Sequence, residues 1–179
     1  MTLAVQIDQP GGPEELKLVD VSVGEPGPGE IRIRHKAIGL NFIDVYQRSG
    51  LYPFPMPLRL GMEGAGEVVK VGAGVTAFAV GARVMGRCPG AFAEHALMDV
   101  REAIAVPAGV SWEEAASIPL AFLVVHDMLF AQGRLKPGEW VLVTGISSGV
   151  GVASLQAARE RGAKVIGTSG SQEKLDRLK

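Results

Sequence analysis

The sequence has very little cysteine. Cys88 stands alone among 179 residues, which excludes an internal disulfide framework and a four-cysteine zinc site. A basic run is missing too. The chain has 18 Lys and Arg against 19 Asp and Glu, for a net charge of −1. Without a stripe of positive charge, nucleic acid is not an expected partner. No apolar run approaches the roughly 18 residues a membrane helix needs, so no membrane span is expected. The opening MTLAVQIDQPGG has neither the basic region nor the apolar stretch of a secretion signal. The expected location is the cytoplasm. Internal repeats and low-complexity tracts are absent. Glycine is in excess, with 24 residues, and marks turns and close backbone approaches. The hydrophobic share is 47% against 21% charged, enough for a real core.

The most informative stretch is Trp140 to Gly151, WVLVTGISSGVG. Val141-Leu142-Val143 is a short, β-branched-rich run, expected to be a parallel strand buried on both faces. Gly145, Gly149 and Gly151 follow it and open a helix. Such a turn lets a backbone approach a bulky anion, and the helix start aims free N–H groups at it. Val152 to Arg161 reads as the helix, Gly162 as its stop and Lys164 to Thr168 as a second strand. That is a β-α-β unit of dinucleotide-binding length.

The chain before it has a different character. Leu3 to Asp8, Leu16 to Val23 and Glu30 to Ile38 alternate as strands do. Glu67 to Val71, Arg83 to Gly86, Ala91 to Met98 and Ala103 to Val106 are further short strands. Together they suggest a compact, partly closed β-barrel. Asn41 can cap a short helix that stops at Gly50, and Pro53, Pro55 and Pro57 force an extended segment after it. Glu63 and the glycines around it read as a structural turn. His35, His95 and His126 are scattered, each expected on a surface. Ser111-Trp-Glu-Glu114 is a capping-box pattern, with helix expected to about Gln132, interrupted at Pro119.

Several stretches resemble the medium-chain dehydrogenase/reductase superfamily, and within it the zinc-free quinone oxidoreductases related to zeta-crystallin. They are GLNFIDVYQRSGLYP (Gly39 to Pro53), GMEGAGEVVKVGAGV (Gly61 to Val75), VGARV from Val80, GAFAEHA from Gly90, EEAASIPL from Glu113, and LKPGEWVLV before the glycine turn. The resemblance implies an α/β chain with a β-rich part. A GroES-like, partly closed β-barrel domain over 1–118 would lack its C-terminal return segment. The first β-α-β of a Rossmann fold, a partial dinucleotide-binding domain, would occupy 119–179. The implied activity is hydride transfer from NADPH to a quinone, with an enoyl or enone as the competing small-molecule acceptor. Family members are nearly twice as long and homodimeric. The expectation is therefore a chain truncated within its nucleotide-binding domain. An inactive fragment that only binds a partner or persists as a structural module is the non-enzymatic alternative.

Zinc alcohol dehydrogenases of the superfamily carry cysteine and histidine where this chain has Asn41 and Met62, both poor zinc ligands. No metal is expected. The resemblance puts Asn41, Tyr46 and Tyr52 on the wall of the catalytic pocket. Asn41 would touch the nicotinamide end, and a tyrosine hydroxyl would meet the acceptor. Asp44 would hold the local helix. Ser148, Gly149, Val150 and Gly151 would cradle the pyrophosphate. The second strand ends in Gly167-Thr-Ser-Gly-Ser171 without the acid that binds an NAD ribose. Ser169 and Lys174 are the expected contacts to the 2′-phosphate of NADPH. Ile146 and Ser148 depart from the family's turn, and Val124 stands where the family has a threonine near the nicotinamide. The turn also fits the T-G-x-x-x-G-x-G pattern of short-chain dehydrogenases, but no Tyr-x-x-x-Lys pair follows it.

Overall fold

Alternating sequence becomes antiparallel sheet in the first two-thirds of the chain. The computed structural model describes all of residues 1–179, and the chain divides into two units, Met1–Pro119 and Leu120–Lys179. In the first unit, β1 (Thr2–Ile7), β2 (Lys17–Val21), β3 (Glu30–Ile38), β4 (Leu58–Arg59), β5 (Glu63–Val71), β6 (Arg83–Arg87), β7 (His95–Asp99) and β8 (Ala103–Ala105) form two sheets. Their orders are β2-β1-β4 and β7-β3-β5-β6-β8. Register shifts between Arg32 and Ile33 and between His35 and Ala37 interrupt the β3–β5 ladder. Such bulges bend and twist a strand, and this sheet is curled into a partly closed barrel.

Two expectations are corrected here. The stretch around Glu63 is strand, not turn, because Glu63 to Glu67 pairs residue for residue with Arg83 to Arg87. The strand expected over Ala91 to Met98 begins only at His95. Residues before it are drawn off to the other sheet: Val5 N–H donates to Phe92 O at 2.7 Å and Glu94 N–H to Leu3 O at 3.0 Å. That crossing joins the two sheets.

The inward face of the larger sheet makes the core. Ile31, Ile33, Val68, Val84, Ala96 and Met98 are buried together with Cys88. Each large aliphatic side chain buried this way contributes roughly 1.5–3 kcal/mol. The short helix α2 (Trp112–Ala116) closes another part of the sheet, with Ala115 and Ala116 against Ala65, Met85 and Val106. Its expected capping box is present: Ser111 Oγ accepts from Glu114 N–H at 3.2 Å, and Glu114 Oε2 accepts from Ser111 N–H at 2.9 Å. The Arg83 guanidinium lies 4.2 Å from the Trp112 ring centroid.

Beyond α2 the expected helix is in two further pieces, α3 (Pro119–Val125) and a π-helical segment, His126–Gln132. In the second unit β9 (Trp140–Val143), α4 (Gly149–Glu160) and β10 (Lys164–Gly167) form the β-α-β element, followed by α5 (Gln172–Asp176). β9 and β10 pair in parallel, Trp140 with Lys164 through Val143 with Gly167. α4 buries Ala153, Leu155 and Ala158. Burial of β9 on both faces is not found: Leu142 is 62% exposed and its β10 partner Ile166 51%.

Candidate functional site

Two groups of the expected residues come together, one in each unit. The first is built on α1 (Phe42–Ser49), which starts at Asn41 and stops at Gly50 in the left-handed conformation. Asp44 Oδ2 accepts from Asn41 N–H at 2.8 Å, one arm of a capping box. Asp44 is buried. Burial pushes its carboxyl above the usual range, offset in part by the N–H groups of Asn41 and Gly61. Tyr46 follows on the same helix. Its ring stands 5.9 Å from Phe42 and 5.4 Å from Tyr52, both tilted, and Tyr52 N–H donates to Tyr46 O at 3.1 Å. Asn41 and Tyr46 thus lie on α1 and its cap, with Tyr52 packed on Tyr46, beside exposed Leu40, Phe42 and Leu51 in the chain.

Behind Asn41 lies a buried polar layer that periodicity did not reveal. Glu63, 2% exposed, accepts from Asn41 Nδ2 at 2.7 Å. Gln47 Nε2 faces Met62 Sδ at 3.9 Å. The Cys88 thiol is pushed up to about 12, by burial first and then by the negative charge of Glu63, so it is no nucleophile at neutral pH. His35 is half-buried, not openly exposed. Its Nδ1 is 2.7 Å from Ala93 O and its Nε2 3.5 Å from Cys88 Sγ. A carbonyl only accepts, so Nδ1 carries the proton and Nε2 faces the thiol. Burial lowers the His35 pKa, the Ala93 carbonyl opposes the shift, and the charge of His95 adds to it. His95 is half-buried, 2.9 Å from Thr2 Oγ1. His126 is exposed.

The second group surrounds the glycine turn. Three glycines do three different things. Gly145 adopts a φ of +66°, which favours glycine. A Cβ on Gly151 would lie 2.5 Å from Gly145 O, so Gly151 lets helix and turn touch. Gly149 has neither constraint: a Cβ there would meet nothing within 4 Å. Ser148 is the N-cap of α4, with its Oγ accepting from Gly151 N–H at 3.1 Å. Helix geometry therefore leaves the N–H groups of Gly149 and Val150 without an intrahelical acceptor. These are the donors an anion would find, while Gly151 serves packing. The departure at Ile146 is accommodated locally. Ile146 is buried and fills the space beside Gly167, where a Cβ would lie 2.3 Å from its Cδ1.

At the end of β10, Ser169 Oγ is 2.9 Å from Ser147 Oγ and accepts from Ser171 N–H at 3.3 Å. Ser171 caps α5, and its Oγ accepts from Lys174 N–H at 3.3 Å. Lys174 lines a cleft of about 250 Å³ with Ser147, Val152, Arg177 and Leu178. Arg177 was not among the expected residues, although Lys174 and Arg177 at i and i+3 on one short helix was a legible signal. The turn, the two free N–H groups and this pair of cations fit a phosphorylated dinucleotide.

The Alcohol dehydrogenase GroES-like domain matches residues 27–108. A curated quinone oxidoreductase of Pseudomonas aeruginosa is 43% identical over 177 residues, 97% of this chain and 54% of that protein. A 2-haloacrylate reductase of a Burkholderia species is 37% identical over 185 residues, 98% of this chain and 55% of that protein. The crystal structure of Escherichia coli quinone oxidoreductase complexed with NADPH superposes with a TM-score of 0.90 at 38% identity, covering 98% of this chain and 55% of that one. The chain spans about half the length of the curated relatives it matches.

Proposed function

From a chain that belongs to the quinone oxidoreductases of the medium-chain dehydrogenase/reductase superfamily, we propose an NADPH-dependent reductase that passes hydride to a quinone without zinc. The observation that carries this reading is the layer behind α1. Where a metal enzyme needs thiolate and imidazole, this chain has Asn41 and Met62. The Asn41 amide nitrogen is already engaged by Glu63 at 2.7 Å. Neither side chain is a strong zinc ligand. The acceptor must then be one whose oxygen needs only a hydrogen bond as it gains charge, and a quinone is such an acceptor.

Bound NADPH supplies the hydride. Gly149 and Val150 N–H would hold its pyrophosphate, with Ser148 shaping the turn and Gly151 keeping it close-packed. Lys174, Ser169 and Arg177 would hold the 2′-phosphate: the residues directly after β10, Thr168 to Ser171, offer hydroxyls and no acid, and α5 adds Lys174 and an Arg177 that is paired with Glu173 at 3.4 Å. Residues 1–118 would provide the catalytic wall. Asn41 would orient the cofactor's reactive end, and Tyr46 or Tyr52 would donate to the acceptor oxygen, a preorganised donor of the kind that lowers such barriers by about 2.7–4 kcal/mol. Homodimerisation and a cytoplasmic location belong to the same reading. No helix is long and apolar enough to cross a membrane.

A second reading has its own support. The 2-haloacrylate reductase relative favours an activated carbon–carbon double bond as acceptor. NADPH oxidation against matched panels of quinones and enones separates the two, run on this chain and on one extended to the length of its relatives. Faster turnover of quinones is expected. Preference for enones moves the substrate class, and no turnover by either chain leaves the binding-module alternative.

A further inference from the structure

An asparagine side chain has a donor end and an acceptor end of nearly equal shape, and only its partners decide which end meets a ligand. At Asn41 that decision is made by Glu63. Asn41 Nδ2 donates to Glu63 Oε1 at 2.7 Å, and a carboxylate can accept but not donate. The carboxylate is buried, at the start of β5, with Glu63 2% exposed.

The chain makes room for it at a second position. A Cβ on Gly39 would lie 2.3 Å from Glu63 Oε1 and 2.5 Å from its Cγ, and the Gly39 backbone is outside the left-handed region. Glycine is therefore needed at 39 for the Glu63 side chain, not for a turn. Gly39 N–H also donates to Glu63 O at 3.1 Å. The Asn41 backbone is pinned from the other side by Asp44. At most one acceptor site of Oδ1 is engaged within the capping box, and a carbonyl oxygen has two.

We infer that Glu63 is a positioning residue that locks the Asn41 amide, so that Asn41 offers its carbonyl oxygen and recognises a hydrogen-bond donor, an O–H or N–H, on the bound ligand. This rests on the reading that NADPH and a quinone bind here. A quinone has no donor, so Asn41 engages the cofactor, through a ribose hydroxyl or the carboxamide N–H. The donor to the quinone oxygen is then a tyrosine hydroxyl.

The test exchanges the two groups. NADPH and NADH affinities are measured by fluorescence titration for the wild type, Glu63→Gln, Asn41→Asp and the double variant, with Tm as the control for folding. Glu63→Gln frees the amide to turn and is expected to weaken both cofactors about tenfold. Asn41→Asp opposes two carboxylates and weakens them similarly. The double variant restores one donor facing one carboxylate and leaves an acceptor oxygen at 41, so affinity returns to within about threefold of wild type. A purely structural role would move Tm and leave the affinities of folded variants unchanged. Titration with the 3-acetylpyridine analogue, which lacks the carboxamide N–H, separates the two sources of the donor. If that N–H is the donor, Glu63→Gln no longer weakens binding of the analogue; if a ribose hydroxyl is, it weakens the analogue as it does NADPH. Should the single variants fail to fold, the wild type still decides: NADPH should shift the Asn41 Cγ resonance and leave its Nδ2 protons bonded to Glu63. Shifted Nδ2 protons, or a double variant as weak as the singles, overturn the inference. A wild type that binds no NADPH overturns the proposed function and this inference together.

Discussion

At the scale of single residues, the glycines of the turn separate folding from binding. Gly151→Ala puts a methyl 2.5 Å from Gly145 O and is expected to lower unfolding free energy by about 1–3 kcal/mol, the cost of overpacking. Gly149→Ala has open space around it and lies in the first turn of a helix. Stability is expected to hold or rise by about 0.5–1 kcal/mol, while NADPH affinity falls because the methyl stands where the pyrophosphate would approach. Urea denaturation beside cofactor titration reads both, and equal loss of stability in the two variants would contradict the assignment. Tyr52→Phe leaves the ring against Tyr46 and removes only a hydroxyl. It should lower kcat/KM for quinone by roughly tenfold or more with Tm unchanged; an unchanged value removes Tyr52 from the mechanism. Asn41, the tyrosines, Ser148 and Lys174 could be nominated from sequence because the motifs that carry them are local. Glu63 was not recognised, since its partner is 22 positions away in sequence and only the β3–β5 pairing brings them together. Arg177 was overlooked within a visible pattern.

At the scale of elements, the strand boundaries that sequence misplaced are those where pairing overrides local pattern. Glu63 to Gly66 looks like part of a turn by composition, yet it runs in β5 because β6 and β3 bond it on both sides. The π-helical segment had no sequence signal: Gly133 N–H reaches Met128 O at 2.9 Å, a wider turn that periodicity over seven residues cannot distinguish. β3 also carries a pH dependence. Burial favours the neutral His35 ring, so its folded pKa lies below its ordinary value of about 6.5. The unfolded chain then binds more protons in that window. The contribution is fully present above pH ~6.5 and is lost as pH falls through that value toward the folded pKa. His95 is shifted in the same direction, by burial first. The urea midpoint should therefore fall between pH 7.5 and pH 5.5, and His35→Gln should flatten that slope. A slope unchanged in the variant would assign the loss elsewhere.

At the scale of the molecule, the two groups of site residues lie in separate units, and their chemistry can be tested separately. Lys174 and Arg177 line one cleft and, in the proposed function, would bear on the 2′-phosphate alone. NADPH should bind more tightly than NADH, and Lys174→Ala should reduce that preference by about tenfold, roughly one charged contact, without weakening NADH. Fluorescence titration of both cofactors checks this, and tighter binding of NADH by the wild type would reverse the assignment. The fold class was legible because glycine-punctuated alternation and a β-α-β pattern are each strong signals. The open face of β9 and β10 was not, because the sequence Val-Leu-Val reads as doubly buried whether or not this chain holds a second covering element.

The central claim is hydride transfer from NADPH to a quinone with no metal. It is tested most directly by following quinone-dependent NADPH oxidation in the chain extended to the length of its relatives, after prolonged incubation with a strong zinc chelator. The account predicts turnover equal to that of the untreated protein. Loss of turnover that added zinc restores, or no quinone-dependent oxidation before chelation, would contradict it.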